Sequence, residues 1–173
     1  MSCWIDYLTK TQDGRYRCII ISPQTPSEAL SLDKDILTAR MGIVRLVQET
    51  YDADRSRLYT TGFSTGGGMI WHLLATDPDA FAAAAPVSSM KGDPAQAEKM
   101  KDVPVWAFQG KWDLIYPYRK ARKMTDALQA AGGNLKVTAY EYAGHVCWLK
   151  AYTDPAFLPW MFSQSAESRG TEG

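Results

Sequence analysis

Histidine is scarce in this chain: two among 173 residues, His72 and His145. Cysteine stops at three, Cys3, Cys18 and Cys147. An odd number cannot pair fully within one chain, and no two form a C-x-x-C, which argues against a zinc site or a redox pair. We therefore expect reduced thiols, a cytoplasmic location, and neither metal nor cofactor. Net charge is lacking too, because 19 Lys and Arg balance 19 Asp and Glu. Without a basic excess, nucleic acid or an anionic membrane surface is not the expected partner. No apolar run approaches the roughly 18 residues that a spanning helix needs. The start, Met1-Ser2-Cys3-Trp4-Ile5-Asp6, has no basic stretch leading into an apolar one, so no secretory signal is read there. Repeats and low-complexity blocks are absent. What the chain does have is 46% apolar residues, enough for a sizeable core. Its length suits one domain, expected over residues 1–162, with a small polar tail over 163–173.

Short apolar runs alternate with amphipathic ones. Arg17-Cys18-Ile19-Ile20-Ile21-Ser22 is apolar without alternation, as a strand covered on both faces would be. A helix is expected over residues 32–51, capped by Ser31 or Ser27, with Arg40 interrupting its apolar face. Further strands are expected over 57–61, 81–87, 103–108 and 136–142, the last alternating as an edge strand would. Helices are expected over 67–76, 94–100, 118–131 and 155–162, with Gly132-Gly133 stopping the third of these. Five strands alternating with helices predict an α/β fold: a three-layer α/β/α sandwich with a mainly parallel sheet. In such sheets the chemistry sits at the carboxyl ends of the strands.

Three strand ends carry reactive side chains. Gly62-Phe63-Ser64-Thr65-Gly66 is a Gly-x-Ser-x-Gly turn between a strand and a helix. A strand that reverses sharply into a helix strains its central residue, and flanking glycines keep the neighbouring turns from clashing. The Ser64 hydroxyl would then stand clear of the sheet. The same glycines do not make a phosphate-binding loop, since Gly68 and Met69 stand where Lys and Ser or Thr are needed. They do not make a dinucleotide fingerprint either. Asp113 follows the strand over 103–108, where a carboxylate can fix the tautomer of an imidazole. His145 follows the last strand on a loop opened by Gly144, whereas His72 lies within a helix and reads as packing or surface. The chain order Ser, Asp, His is that of α/β-hydrolases and differs from the chymotrypsin and subtilisin orders. Cys147 is discounted as an alternative nucleophile, because nothing nearby in sequence lowers its pKa.

At these stretches the sequence resembles the carboxylesterase branch of the α/β-hydrolases that groups polyhydroxybutyrate-depolymerase-like and feruloyl-esterase-like enzymes with "predicted peptidases". The matching runs are Ile21-Ser22-Pro23-Gln24, Tyr51 through Gly67, Asp79-Ala80-Phe81-Ala82-Ala83-Ala84-Ala85-Pro86-Val87, Val103 through Asp113, and Tyr142-Ala143-Gly144-His145-Val146-Cys147-Trp148. The resemblance implies Ser64 as nucleophile, Asp113 as acid, His145 as base and the Thr65 N–H as one oxyanion donor. It also places a histidine, in many members, where this chain has Gln109. Family members begin with further strands, one of which carries a His-Gly type loop that supplies a second oxyanion N–H. Here residues 1–16 look like the loop that normally follows that strand. The expectation is an N-terminally shortened sheet, in which the strands at 17–22 and 57–61 either lose the member between them or pair directly. An open sheet edge of that kind invites association with a second copy.

These readings predict a serine hydrolase that cleaves carboxylic esters through an acyl-enzyme, with a small-molecule ester as partner. A catalytically silent remnant is the alternative, and a serine peptidase the alternative among enzymes. Trp112 and Trp148 flank the predicted site and are candidates for substrate binding.

Overall fold

The computed structural model describes residues 16–24 and 33–167. Helix α1 spans Lys34–Thr50. Its cap is Asp33, whose carboxylate accepts the N–H groups of Asp35 (2.9 Å) and Ile36 (3.2 Å), satisfying two of the orphan donors of the first turn. Ser31 and Ser27, the expected caps, lie outside the described residues. Four strands follow: β1 Tyr59–Phe63, β2 Ala83–Val87, β3 Val105–Gly110 and β4 Leu135–Tyr140. They form one all-parallel sheet in the order β1-β2-β3-β4. Helix α2 (Thr65–Thr76) connects β1 to β2, and helix α3 (Tyr118–Ala130) connects β3 to β4. Two short helices, α4 (Trp148–Tyr152) and α5 (Phe157–Phe162), come last. The stretch Pro94–Met100 is a 3-10 helix.

The expected strand over 17–22 does not form. Residues 17–24 have no regular structure, and Ile19 is 50% exposed. A strand exists only where a neighbour takes up its backbone hydrogen bonds. Among the described residues no strand lies along the outer edge of β1, and 17–22 does not pair with β1 directly. Among the described residues the sheet therefore has four strands where about five are expected, while the α/β layering holds. β4 is an edge strand, as its alternation predicts.

Alternate residues of the central strands face opposite layers. Ala84, Val105 and Ala107 point into a cluster with Leu37, Ile70, Trp71, Leu74, Met124 and Leu128 from α1, α2 and α3. Ala85, Val87, Trp106 and Phe108 point the other way, onto Ala151, Phe157, Leu158 and Met161 of α4 and α5. Arg40, which interrupts the apolar face of α1, is buried and touches the Met69 thioether. Past α5 the chain runs back to the foot of β1, where the Ala166 N–H donates to Ser56 O at 2.9 Å.

Candidate active site

β1 delivers Ser64 at its end. The residue holds φ 59° and ψ −120°, a left-handed conformation that a non-glycine residue adopts only when its surroundings enforce it. The enforcing contacts are visible. The Ser64 N–H donates to Val87 O (2.9 Å), and Ser64 O accepts the Gly68 N–H (3.0 Å). A Cβ on Gly62 would sit 2.6 Å from the Gly66 carbonyl carbon, and one on Gly67 would sit 2.8 Å from Ser89 Cβ. Gly66 itself has open space around it, so Gly62 and Gly67 are the pair that permits the turn. Thr65 opens α2, and its N–H, belonging to the first helical residue, has no acceptor within the helix.

β3 delivers Asp113, which is 3% exposed. One carboxylate oxygen accepts the N–H groups of Ile115 (2.9 Å) and Tyr116 (2.7 Å). The other accepts Gln109 Nε2 (2.9 Å) and His145 Nδ1 (2.8 Å). Four donors converging on one buried carboxylate fix its plane. The loop after β4 can reach this point because β3 ends in Gly110. A Cβ there would fall 2.3 Å from the carbonyl oxygens of both Ala143 and Gly144.

His145 joins the two ends. Its Nδ1 donates to Asp113, which leaves Nε2 as an acceptor, 2.9 Å from Ser64 Oγ. The ring is flanked by Phe63 at 5.0 Å and by Tyr116, edge-on, at 5.1 Å. The structure thus brings Ser64, His145 and Asp113 within hydrogen-bond distance, from three separate strand ends on one rim of the sheet.

The other candidates fall less evenly. Trp112 is 65% exposed and packs edge-on against Tyr142 at 5.8 Å. Trp148 opens α4 and is half-buried against the aromatic layer. Cys147 is fully buried, and burial pushes its thiol up from the ordinary value, so it is no competing nucleophile. His72 binds the Lys91 carbonyl through Nε2 at 2.8 Å, away from Ser64. Among the described residues no cluster of His, Cys, Asp or Glu is arranged to hold a metal ion. Nor is any helix there long and apolar enough to cross a membrane.

Sequence reasoning missed two residues here. The Gln109 amide donates to both the Asp113 carboxylate (2.9 Å) and Tyr116 O (3.0 Å). The histidine found there in the resembled family was the available signal that this position matters. Ser88 had no signal, because nothing in Val87-Ser88-Ser89 discloses its contacts.

A parallel sheet with helices on both faces, a strained serine between β1 and α2, and acid and imidazole on the next strand ends define an α/β-hydrolase. The dienelactone hydrolase family profile matches residues 21–154, and the chain belongs to that family. A Salmonella typhimurium protein named "Putative carboxymethylenebutenolidase" is 31% identical over 100 residues, covering 53% of this chain and 37% of its own. A Methylorubrum extorquens protein of the same name is 29% identical over 132 residues, covering 70% of this chain and 45% of its own. The chain therefore spans less than half the length of these relatives. Among solved structures, a thermostable esterase superposes with a TM-score of 0.72 at 31% identity, over 76% of this chain and 37% of that one. Arabidopsis thaliana SOBER1 superposes with a TM-score of 0.58 at 18% identity, over 87% of this chain and 68% of that one, a likeness of fold.

Proposed function

We propose that this chain is a serine hydrolase of carboxylic esters, with Ser64 as nucleophile, His145 as general base and Asp113 as its orienting acid. The observation that carries the proposal is the continuous relay from Ser64 Oγ to His145 Nε2 (2.9 Å) and from Nδ1 to the Asp113 carboxylate (2.8 Å). In the first step Ser64 Oγ bonds to the acyl carbon while its proton passes to Nε2, and Asp113 stabilises the imidazolium that results. The tetrahedral oxyanion is met by the Thr65 N–H. Collapse expels the alcohol, protonated by Nε2, and leaves an acyl-Ser64. Water then repeats the sequence, its proton going to Nε2 and back to Ser64 Oγ as the acid departs. A single oxyanion donor makes a weaker catalyst than two, by about 10²–10³ in turnover for each missing one.

The substrate side of the proposal is an ester with an apolar or aromatic arm. Trp112, Leu114 and Ile115 on the acid loop, and Tyr142 and Val146 on the base loop, are all exposed, an apolar rim beside the relay. Trp112 is the principal contact we propose, and Trp148, half-buried, the lesser one. The finer kinship to feruloyl-esterase-like enzymes belongs to this proposal, supported by the same rim. So does a cytoplasmic location, which the free thiols of Cys18 and Cys147 suit. The test is turnover of a short-chain p-nitrophenyl ester. We expect turnover that Ser64→Ala abolishes. Turnover of the parent no faster than that of Ser64→Ala would overturn the proposal and favour a silent remnant.

A further inference from the structure

Ser88 is the residue after β2, as Ser64 is the residue after β1. Phe63 and Val87 are partners in the register, so the two serines stand side by side on the rim. Both hold positive φ, 59° for Ser64 and 45° for Ser88. Ser64 is strained because the turn into α2 demands it. No helix starts at Ser88, and strain of this kind persists only where the surroundings over-determine it.

The side-chain contacts of Ser88 lead to the His145 loop. The Ser88 N–H donates to Phe108 O at 2.8 Å, which clamps its backbone to β3. Its side chain is wholly buried, and Oγ–H donates to the main-chain carbonyl of His145 at 2.6 Å. That hydroxyl is therefore left to accept from the Cys147 thiol, 3.0 Å away, and burial keeps the thiol protonated for the purpose. The same His145 carbonyl accepts the Cys147 N–H at 2.9 Å, closing a tight turn around Val146. Upstream, the base loop is tied to the acid loop by the Trp112 N–H to Ala143 O bond (3.0 Å). Ser88 is the tie from the neighbouring strand to the residue that bears the imidazole.

We propose that Ser88 is a positioning residue: by holding the His145 carbonyl to the end of β2, it sets the distance from the imidazole to Ser64. The inference rests on the serine-hydrolase reading for its kinetic consequence. The physical reason is leverage. The imidazole swings about the Cα of His145, and a displacement near 1 Å at a reacting group can cost about 10²-fold in rate. The hydroxyl stops that displacement at the backbone, where the two ring hydrogen bonds cannot.

Two variants separate positioning from mere packing. Ser88→Ala removes the hydroxyl and keeps the demand for positive φ. Ser88→Gly removes the hydroxyl and relieves it. We expect kcat on a p-nitrophenyl ester to fall about 10- to 100-fold in both, with KM nearly unchanged, although the glycine variant resists urea better than the alanine one. By proton NMR, the low-field Nδ1–H resonance of His145 should be sharp in the parent and in Ser64→Ala, and broadened or lost in both Ser88 variants. A glycine variant with parental kcat, a loss that follows stability from one variant to the other, or an unchanged low-field proton would overturn the assignment. Absence of turnover in the parent would defeat the hydrolase reading instead, and the NMR comparison would still decide the role of Ser88.

Discussion

The two faces of the sheet are built differently. One is aliphatic and methionine-rich, covered by α1, α2 and α3, which run 17, 12 and 13 residues. The other is aromatic. Trp106 stacks on Phe108 at 4.8 Å, Phe157 meets Phe108 edge-on at 5.7 Å, and Trp160 meets Trp106 at 5.3 Å. It is covered by helices of only five and six residues. Helices that short carry little stability of their own and depend on tertiary packing. The proposed triad is divided between the faces. Ser64 heads α2, which belongs to the aliphatic side, and the His145 loop is anchored in the aromatic side through Ala143 and Cys147. Asp113 lies on the loop just past β3, which stands between them. The nucleophile is thus held by a long helix and the base by ring packing.

The most damaging change to this division is one that uncouples its middle member. Asp113→Asn puts an amide where the carboxylate accepts four donors, and its N–H₂ group favours the wrong imidazole tautomer. We expect kcat to fall by about 10⁴-fold, read in the p-nitrophenyl ester assay. A drop of less than about tenfold would mean that Asp113 does not orient His145.

The next largest effect separates the faces directly. Phe157→Ala on the aromatic face should cost about 3–5 kcal/mol and Leu128→Ala on the aliphatic face about 2–5 kcal/mol, measured by urea unfolding. Their activities should part company. Per folded molecule, Leu128→Ala should stay within about twofold of the parent, while Phe157→Ala loosens the base loop and loses activity well beyond its unfolded fraction. Equal specific activities in the folded fractions would erase the distinction.

The smallest effect concerns alkali. Tyr152 is pushed up to about 12 by burial, and Tyr140 also to about 12 by burial with the Asp154 charge adding to it. Burial raises the Cys147 thiol as well. All three groups lie in or against the aromatic cluster. Each is neutral when protonated and has its folded pKa raised, so the unfolded chain releases these protons first. The stability they lend is full below the unfolded values of about 9–10 and is lost as pH rises toward 12. Urea midpoints should therefore decline from pH 9 upward, and Tyr152→Phe should decline less steeply. A flat midpoint through pH 11 would contradict the assignment of these shifts.

The sequence makes the rim of the sheet more legible than its edge. Ser64, Asp113 and His145 each sit just past an apolar run, and that placement can be read without coordinates. The helix over 34–50 announces itself through Ile36, Leu37, Ile43, Val44 and Val47 at helical spacing, although Ile43 is exposed and the cap is Asp33 rather than a serine. Residues 17–22 mislead because apolar composition reports an inclination to pair, while pairing itself needs a partner strand. Ser88 is illegible for a different reason. Its importance lies in a contact made 57 residues away, and a serine after a strand has no local pattern to betray it. The glycine roles were partly misread for the same cause: Gly67 rather than Gly66 faces Ser89 across the turn, a closeness that only the packing of β2 on α2 creates.

The most direct measurement of the central claim is covalent. A fluorophosphonate probe incubated with the intact chain, followed by proteolysis and mass spectrometry, should place the phosphonyl group on Ser64. Labelling should be abolished by Ser64→Ala and strongly slowed by removal of the His145 imidazole. A label found on another residue, or an undiminished label in Ser64→Ala, would contradict the account.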